Sequence, residues 1–190
     1  MSRRDGHGER TVLAVAGLLA GVAALLAVPA LAASDLNGRW EFVARHSDDV
    51  REKIVDSLGT GYSQGDIKED SPRVWIHDWL MRQAEQPTPV VLTIEESPTE
   101  FRSFLGDETR IYYFGREATR EGPLGGLRKA TVRRDGERVV VEEKAAKGSG
   151  RIVETYHLQP DRTLLVTWHL EHKAMRKPLD LRLAFRRAAP

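Results

Sequence analysis

Cysteine is absent from all 190 residues. That excludes a disulfide framework, a thiolate metal site, a cysteine nucleophile and a lipidated N-terminal Cys. An excess of charge of one sign is also lacking, since 29 Lys and Arg stand against 28 Asp and Glu. No internal repeat and no low-complexity tract interrupts the chain. What is present, 41% apolar and 30% charged residues, is the composition of an ordinary globular protein rather than a disordered tail.

The long apolar run is confined to the start. Residues 1–10 are polar and carry Arg3, Arg4 and Arg10. Val12 to Ala33 is then unbroken by charge and passes through Pro29 to Ala30-Leu31-Ala32, a small-x-small pattern. This is the layout of a secretory signal peptide over residues 1–32. The alternative is an uncleaved inner-membrane anchor over 12–33, because the run approaches the length that spans a bilayer. Either reading places residues 33–190 outside the cytoplasm, periplasmic or secreted, with the membrane touched only through the N-terminal segment.

Without residues 1–32 the charge is balanced, but unevenly spread. Residues 35–126 hold 11 basic and 18 acidic residues, and residues 127–190 hold 15 and 8. The basic residues of the second half alternate with apolar ones, as on a solvated sheet face. No nucleic-acid-binding motif accompanies them, so no nucleic acid is expected.

The pattern of residues 33–190 predicts a single domain. Asn37-Gly38 turns into a short strand at 38–43. Ser47-Asp48-Asp49 predicts a helix start, with Val50, Ile54, Val55 and Leu58 as its apolar stripe. Ser71-Pro72 opens a second helix, with Trp75, Ile76, Trp79 and Leu80 on one face. Residues 46–89 thus form a helical insertion. After Pro89 the apolar period changes from 3.6 to 2. Strands are expected near 90–95, 100–105, 110–115, 127–134, 137–145, 150–158, 163–170 and 179–186, with Asp135-Gly136 as a hairpin turn. The fold class is all-β, an antiparallel meander barrel of about eight or nine strands with a two-helix insertion after the first.

Gly38-Arg39-Trp40 on the first strand, followed by this meander, resembles the lipocalin or calycin superfamily. The resemblance covers about residues 35–46 and 90–187, and the second half is similar to secreted bacterial lipocalin-like proteins. It implies that Gly38 and Trp40 start the barrel and that an Arg near the end of the last strand packs across the Trp. Arg182, Arg186 and Arg187 are available, with Arg186 or Arg187 at the expected end position. The helical insertion departs from the plain lipocalin pattern.

A barrel of this strand number is either filled by side chains or holds one small ligand. Phe101, Tyr113, Tyr156 and Trp168 fall on candidate inner faces and are the candidate ligand-binding residues. Glu154 shares a face with Ile152, Tyr156 and Leu158. A carboxylate there must be paired or protonated, and it suits a ligand's polar head unless it lies at the rim in water.

Other motifs imply less. Gly61-Tyr62-Ser63-Gln64-Gly65 matches the Gly-x-Ser-x-Gly elbow of serine esterases. That elbow works on a turn between a buried strand and a helix, whereas a helix precedes it here and a charged loop follows. Glu95-Glu96 and Glu142-Glu143 point to opposite faces of a strand and read as solvated. His169-Leu170-Glu171-His172 lacks the spacing of a metal pair. Residues 115–126 read as a long hairpin connection. No metal, cofactor or catalytic residue is expected. The expected function is an exported, non-enzymatic binder of a small apolar or amphipathic molecule. The alternatives are an envelope assembly factor with a filled barrel, its protein partner docking on the Trp75/Trp79 helix, and, remotely, an esterase using Ser63.

Overall fold

Alternating apolar residues on successive strands require a sheet that buries one face, and the chain builds it as a meander. A computed structural model describes residues 35–59, 80, 91–106, 108–121, 126–147 and 150–189. The expected signal segment 1–32, the Ser63 motif and the expected second helix with Trp75 and Trp79 lie outside the described residues.

Ten strands form one antiparallel sheet: β1 (Gly38–Phe42), β2 (Val91–Glu96), β3 (Glu100–Leu105), β4 (Glu108–Tyr113), β5 (Ala118–Glu121), β6 (Leu127–Asp135), β7 (Arg138–Ala145), β8 (Arg151–Leu158), β9 (Leu164–Glu171) and β10 (Leu179–Arg187). Their spatial order is β4-β3-β2-β1-β10-β9-β8-β7-β6-β5. Each strand therefore pairs with its chain neighbour, except that β1 joins β10 and β4 does not join β5. A parallel bridge between Phe114 and Val132 brings the β4 end of the sheet against β6. The count exceeds expectation by the four-residue β5, whose sequence Ala-Thr-Arg-Glu has no apolar alternation. It is held as a strand by pairing with β6, Ala118 opposite Ala130 through Glu121 opposite Leu127.

The β6–β7 hairpin turns at Gly136-Glu137, with Gly136 at φ +60°. Positive φ at the first loop position followed by an ordinary residue is the type II′ solution, which matches strand twist.

Between β1 and β2 lies α1 (Val50–Leu58), preceded by a 3-10 turn, Ala44–His46. Its N-cap is Asp49, whose carboxylate accepts from the Glu52 amide at 2.9 Å. The two upstream residues expected to share that work are tied to β10 instead. Ser47 Oγ accepts from Ala184 N, and the Asp48 carboxylate accepts from Arg182 N, each at 2.9 Å. The α1 stripe is Val50, Ile54 and Leu58, and Val55 is exposed.

Two packed clusters fill the barrel. One contains Trp40, Phe101, Tyr112, Val132, Val139, Tyr156 and Phe185. The other places Ile54 and Leu58 of α1, together with Leu80, against Ile152, Leu170, Leu179 and Leu181. Trp168 packs against both. The α1 C-terminus is fastened to the β9–β10 loop, where Arg176 N and Lys177 N donate to Ser57 O at 3.2 and 3.4 Å.

Candidate functional site

Side-chain parity decides what each strand sends inward. On β9 the inward set is Leu164, Val166, Trp168 and Leu170; on β8 it is Ile152, Glu154, Tyr156 and Leu158. Glu154 is therefore inside the barrel, 2% exposed, and not at a rim in water. Its partner is Arg110 of β4, likewise buried, which donates through Nη1 to Glu154 Oε1. Tyr156 donates its hydroxyl to Glu154 Oε2 at 2.7 Å. The same guanidinium reaches outward to Glu108 through Nε and Nη2 at 2.8 and 2.9 Å. Its carbon lies 5.4 Å from the Trp168 ring centre. Burial works against the Arg110 charge, but Glu154 and Glu108 outweigh it and hold the group protonated. Burial, and then the Glu154 charge, push the Tyr156 phenol well above its ordinary range, so it stays a donor.

A second charged group sits beside the seam between β4 and β6. Glu143 of β7, 2% exposed, accepts from Tyr112 Oη at 2.8 Å and from Arg120 Nη2. Arg128 Nε approaches its other oxygen at 3.4 Å, and Arg128 Nη2 donates to Glu143 O at 3.1 Å. Three buried atoms here have no hydrogen-bond partner among the described residues: Arg120 Nε, Arg128 Nε and Glu143 Oε2. Burial lowers the Arg128 pKa, the Glu143 charge opposing.

Beside the Arg110–Glu154 pair is a small cavity of about 30 Å³. Its polar side is Ser103, Arg110, Glu154 and Tyr156, and its apolar side includes Leu92, Leu105, Val166, Trp168 and Leu183. Room of that order admits about one or two waters.

The predicted residues separate accordingly. Trp168, Tyr156 and Glu154 line the cavity together. Phe101 lies one layer behind, its ring centre 4.9 Å from that of Tyr156. Tyr113 does not join them. Tyr112 is the inward residue, because it stands opposite Phe101 in the register, and Tyr113 turns out to meet Arg116 at 4.6 Å. Of the arginines named for the Trp40 contact, Arg187 lies over the ring at 4.6 Å. Arg186 faces the other way and pairs with Glu41 at 2.9 Å. Gly38 has φ +128°, and a Cβ there would meet Arg187 Nη1 at 3.0 Å, so the missing side chain makes room for that guanidinium.

The acidic pairs also need correction. Glu142 is on the outer face, with Arg151 and Lys144, but Glu143 is buried. Glu96 is likewise enclosed, with Arg134 at 2.8 Å. Sequence reasoning missed Arg110, Tyr112, Arg120, Arg128 and Glu143. The signal was available as parity: Arg128 is in phase with Ala130 and Val132, and Glu143 with Val139 and Val141.

His169 stands on the outer face between Asp180, 2.7 Å from Nδ1, and Glu171, 3.0 Å from Nε2. Hydrogen bonds to Asp180 and then Glu171 raise its pKa above the ordinary 6.5, and slight burial opposes. A raised folded pKa gives stability that is complete below the unfolded value and is lost as pH rises through the folded one. Replacing His169 by Asn should therefore destabilise more at pH 5.5 than at pH 8.5. The difference should stay below about 1 kcal/mol, because the pair is solvent-screened. Urea titrations at the two pH values check it, and equal losses would contradict the assignment.

No protein-family model matches the chain, and no curated protein matches it. Solved structures do resemble it. Lipid binding protein 8 of Caenorhabditis elegans, in its apo form, superposes with a TM-score of 0.53 at 17% identity, over 80% of this chain and 94% of that one. The fatty acid binding protein of Schistosoma mansoni, in complex with arachidonic acid, gives 0.52 at 13% identity, over 83% and 98%. Secretory abundant heat soluble protein 4 of Ramazzottius varieornatus gives 0.52 at 12%, over 82% and 96%. With the strand order and the Trp40–Arg187 closure, these likenesses establish that the chain folds as a lipocalin/calycin-like barrel.

Proposed function

We propose that the protein is a non-enzymatic, exported binder of a small amphipathic molecule, whose polar head is received by Arg110, Glu154 and Tyr156. The observation that carries this reading is a buried, hydrogen-bonding charge pair at the edge of a cavity whose other wall is apolar. A few convergent polar groups in an apolar enclosure are what a ligand site needs. The names of the C. elegans and S. mansoni neighbours agree with it. Every pair of named strands in the described sheet is antiparallel, unlike the sheet that carries a nucleophile elbow, so the described fold lends the esterase alternative no support. Residues 1–32 would deliver the domain to the cell envelope.

The cavity as built is an order of magnitude below the few hundred Å³ of a drug-sized site. Entry of anything larger than a few waters therefore requires the side chains that line the cavity, Trp168 among them, to separate. The same tightness favours a second reading, a filled barrel that acts through its surface as an envelope assembly factor.

Native mass spectrometry of the full-length protein, with organic extraction of whatever co-purifies, tests the choice. A stoichiometric small molecule lost on unfolding, and lost again in Trp168→Arg at retained fold, is the expected result. An unliganded mass that takes up nothing from a total lipid extract would overturn the carrier reading in favour of the filled barrel.

A further inference from the structure

A second concavity, independent of the barrel interior, opens on the surface between the β7–β8 hairpin and the β9–β10 loop. It has a volume of about 590 Å³, and its walls carry Lys144, Arg151, Lys173, Arg176 and Lys177. We infer that this groove is a binding site for a phosphate ester.

The volume is that of a small-molecule site. Five cations stand against one lining carboxylate, Glu171. That carboxylate is engaged by His169 at 3.0 Å and approached by Arg151 at 3.8 Å. Lys177 is paired with Asp56, and Lys144 and Arg151 share Glu142. Lys173 and Arg176 are exposed; the Arg176 charge acts on Asp56, which Lys177 already holds, so these two are the cations least committed within the groove. Burial first, and then the Lys173 and Arg128 charges, lower the pKa of His172 in the same wall.

The loop that presents these cations is preorganised. Met175 N donates to His172 O at 2.9 Å, and Ala174 N to His172 Nδ1 at 3.1 Å. Arg176 N and Lys177 N are held by Ser57 O at the end of α1. The loop backbone is thus ordered before binding, and the exposed Lys173 and Arg176 side chains are what remains to be fixed. An Arg fork beside Lys point charges is suited to phosphate oxygens. Ala145, Met175 and Pro178 offer the organic part of the ligand an apolar surface. The ester could be a soluble molecule or a phospholipid head, and both present the same chemistry.

The test titrates full-length, ¹⁵N-labelled protein with inorganic pyrophosphate and, separately, measures flotation with phosphatidic acid vesicles against pure phosphatidylcholine. Amide shifts should concentrate at 144–145, 150–151 and 172–177. Lys173→Glu with Arg176→Glu should weaken pyrophosphate at least about tenfold, whereas Arg102→Glu, on the outer face of β3, should not. Flotation that is specific for phosphatidic acid and lost in the double variant identifies a lipid head. Pyrophosphate binding without flotation identifies a soluble ester. Shifts scattered over the surface, equal weakening by Arg102→Glu, or no binding of either probe would overturn the site.

Discussion

Replacing Arg110 by Met should destabilise the protein by about 3–5 kcal/mol, because it strands the Glu154 carboxylate in the barrel. Both side chains are nearly inaccessible, 8% and 3% exposed, so water cannot take over from the lost guanidinium. For a domain of this size the melting temperature should fall by roughly 10 °C. The diagnostic comparison is the double variant Arg110→Met with Glu154→Gln. A neutral amide oxygen still accepts from Tyr156, whose hydroxyl now reaches Glu154 Oε2, and no uncompensated charge remains. The double variant should therefore be more stable than Arg110→Met alone. Urea denaturation of the wild type, the double variant and both single variants, Glu154→Gln included, measures the coupling. If Arg110→Met and the double variant lost the same stability, Arg110 would matter only as packing against Trp168, and the polar centre would not be a coupled pair. The outcome also bears on function: a pair this interdependent is disrupted by a ligand head only if the head replaces one of its charges.

The strand sequence after Pro89 is legible because most of the strands alternate cleanly and each turn carries Gly, Asp or Pro. The packing of Leu164, Val166, Leu183 and Phe185 follows from that alternation alone. Three features were hidden. β5 has no apolar face and exists as a strand through its partner β6. Tyr112 and Tyr113 are adjacent aromatics, so the pattern along β4 gives no phase, and the register with Phe101 decides it. Most of the interior charges were hidden for a third reason. Glu154 is legible on an inner face beside Tyr156, but its partner Arg110 and the pair Arg128 and Glu143 come from three other strands, and each of these alone looks like a solvated residue out of place. They become admissible inside only because sheet closure sets opposite charges within reach of one another. Local periodicity cannot report compensation that arises across the barrel.

Removing the ring of Trp40 should be the other large effect. The side chain is fully buried, its indole donates to Leu36 O at 2.8 Å, and Arg187 lies across its face. Trp40→Ala should cost about 3–5 kcal/mol, combining lost transfer energy with the cavity left behind. Arg187 has a second task. It donates to Asn37 O at 2.8 Å and to Asp35 O at 2.9 Å, so it fastens the segment before β1 to the end of β10. Arg187→Met should lose less than Trp40→Ala, because Arg187 is 42% exposed and water can replace part of its hydrogen bonding. The double variant should lose less than the sum of the two, by about 0.5–1 kcal/mol, the worth of a cation–π contact at a partly exposed site. Arg186→Met is the control. Its pair with Glu41 is on the outer face, and an exposed pair contributes little, so a change within about 0.5 kcal/mol is expected. Thermal and urea unfolding of these variants decide whether the barrel end is closed by Arg187 or by its neighbour. A large loss in Arg186→Met with a neutral Arg187→Met would reverse the assignment, and strictly additive losses for Trp40 and Arg187 would remove the contact between them as a source of stability.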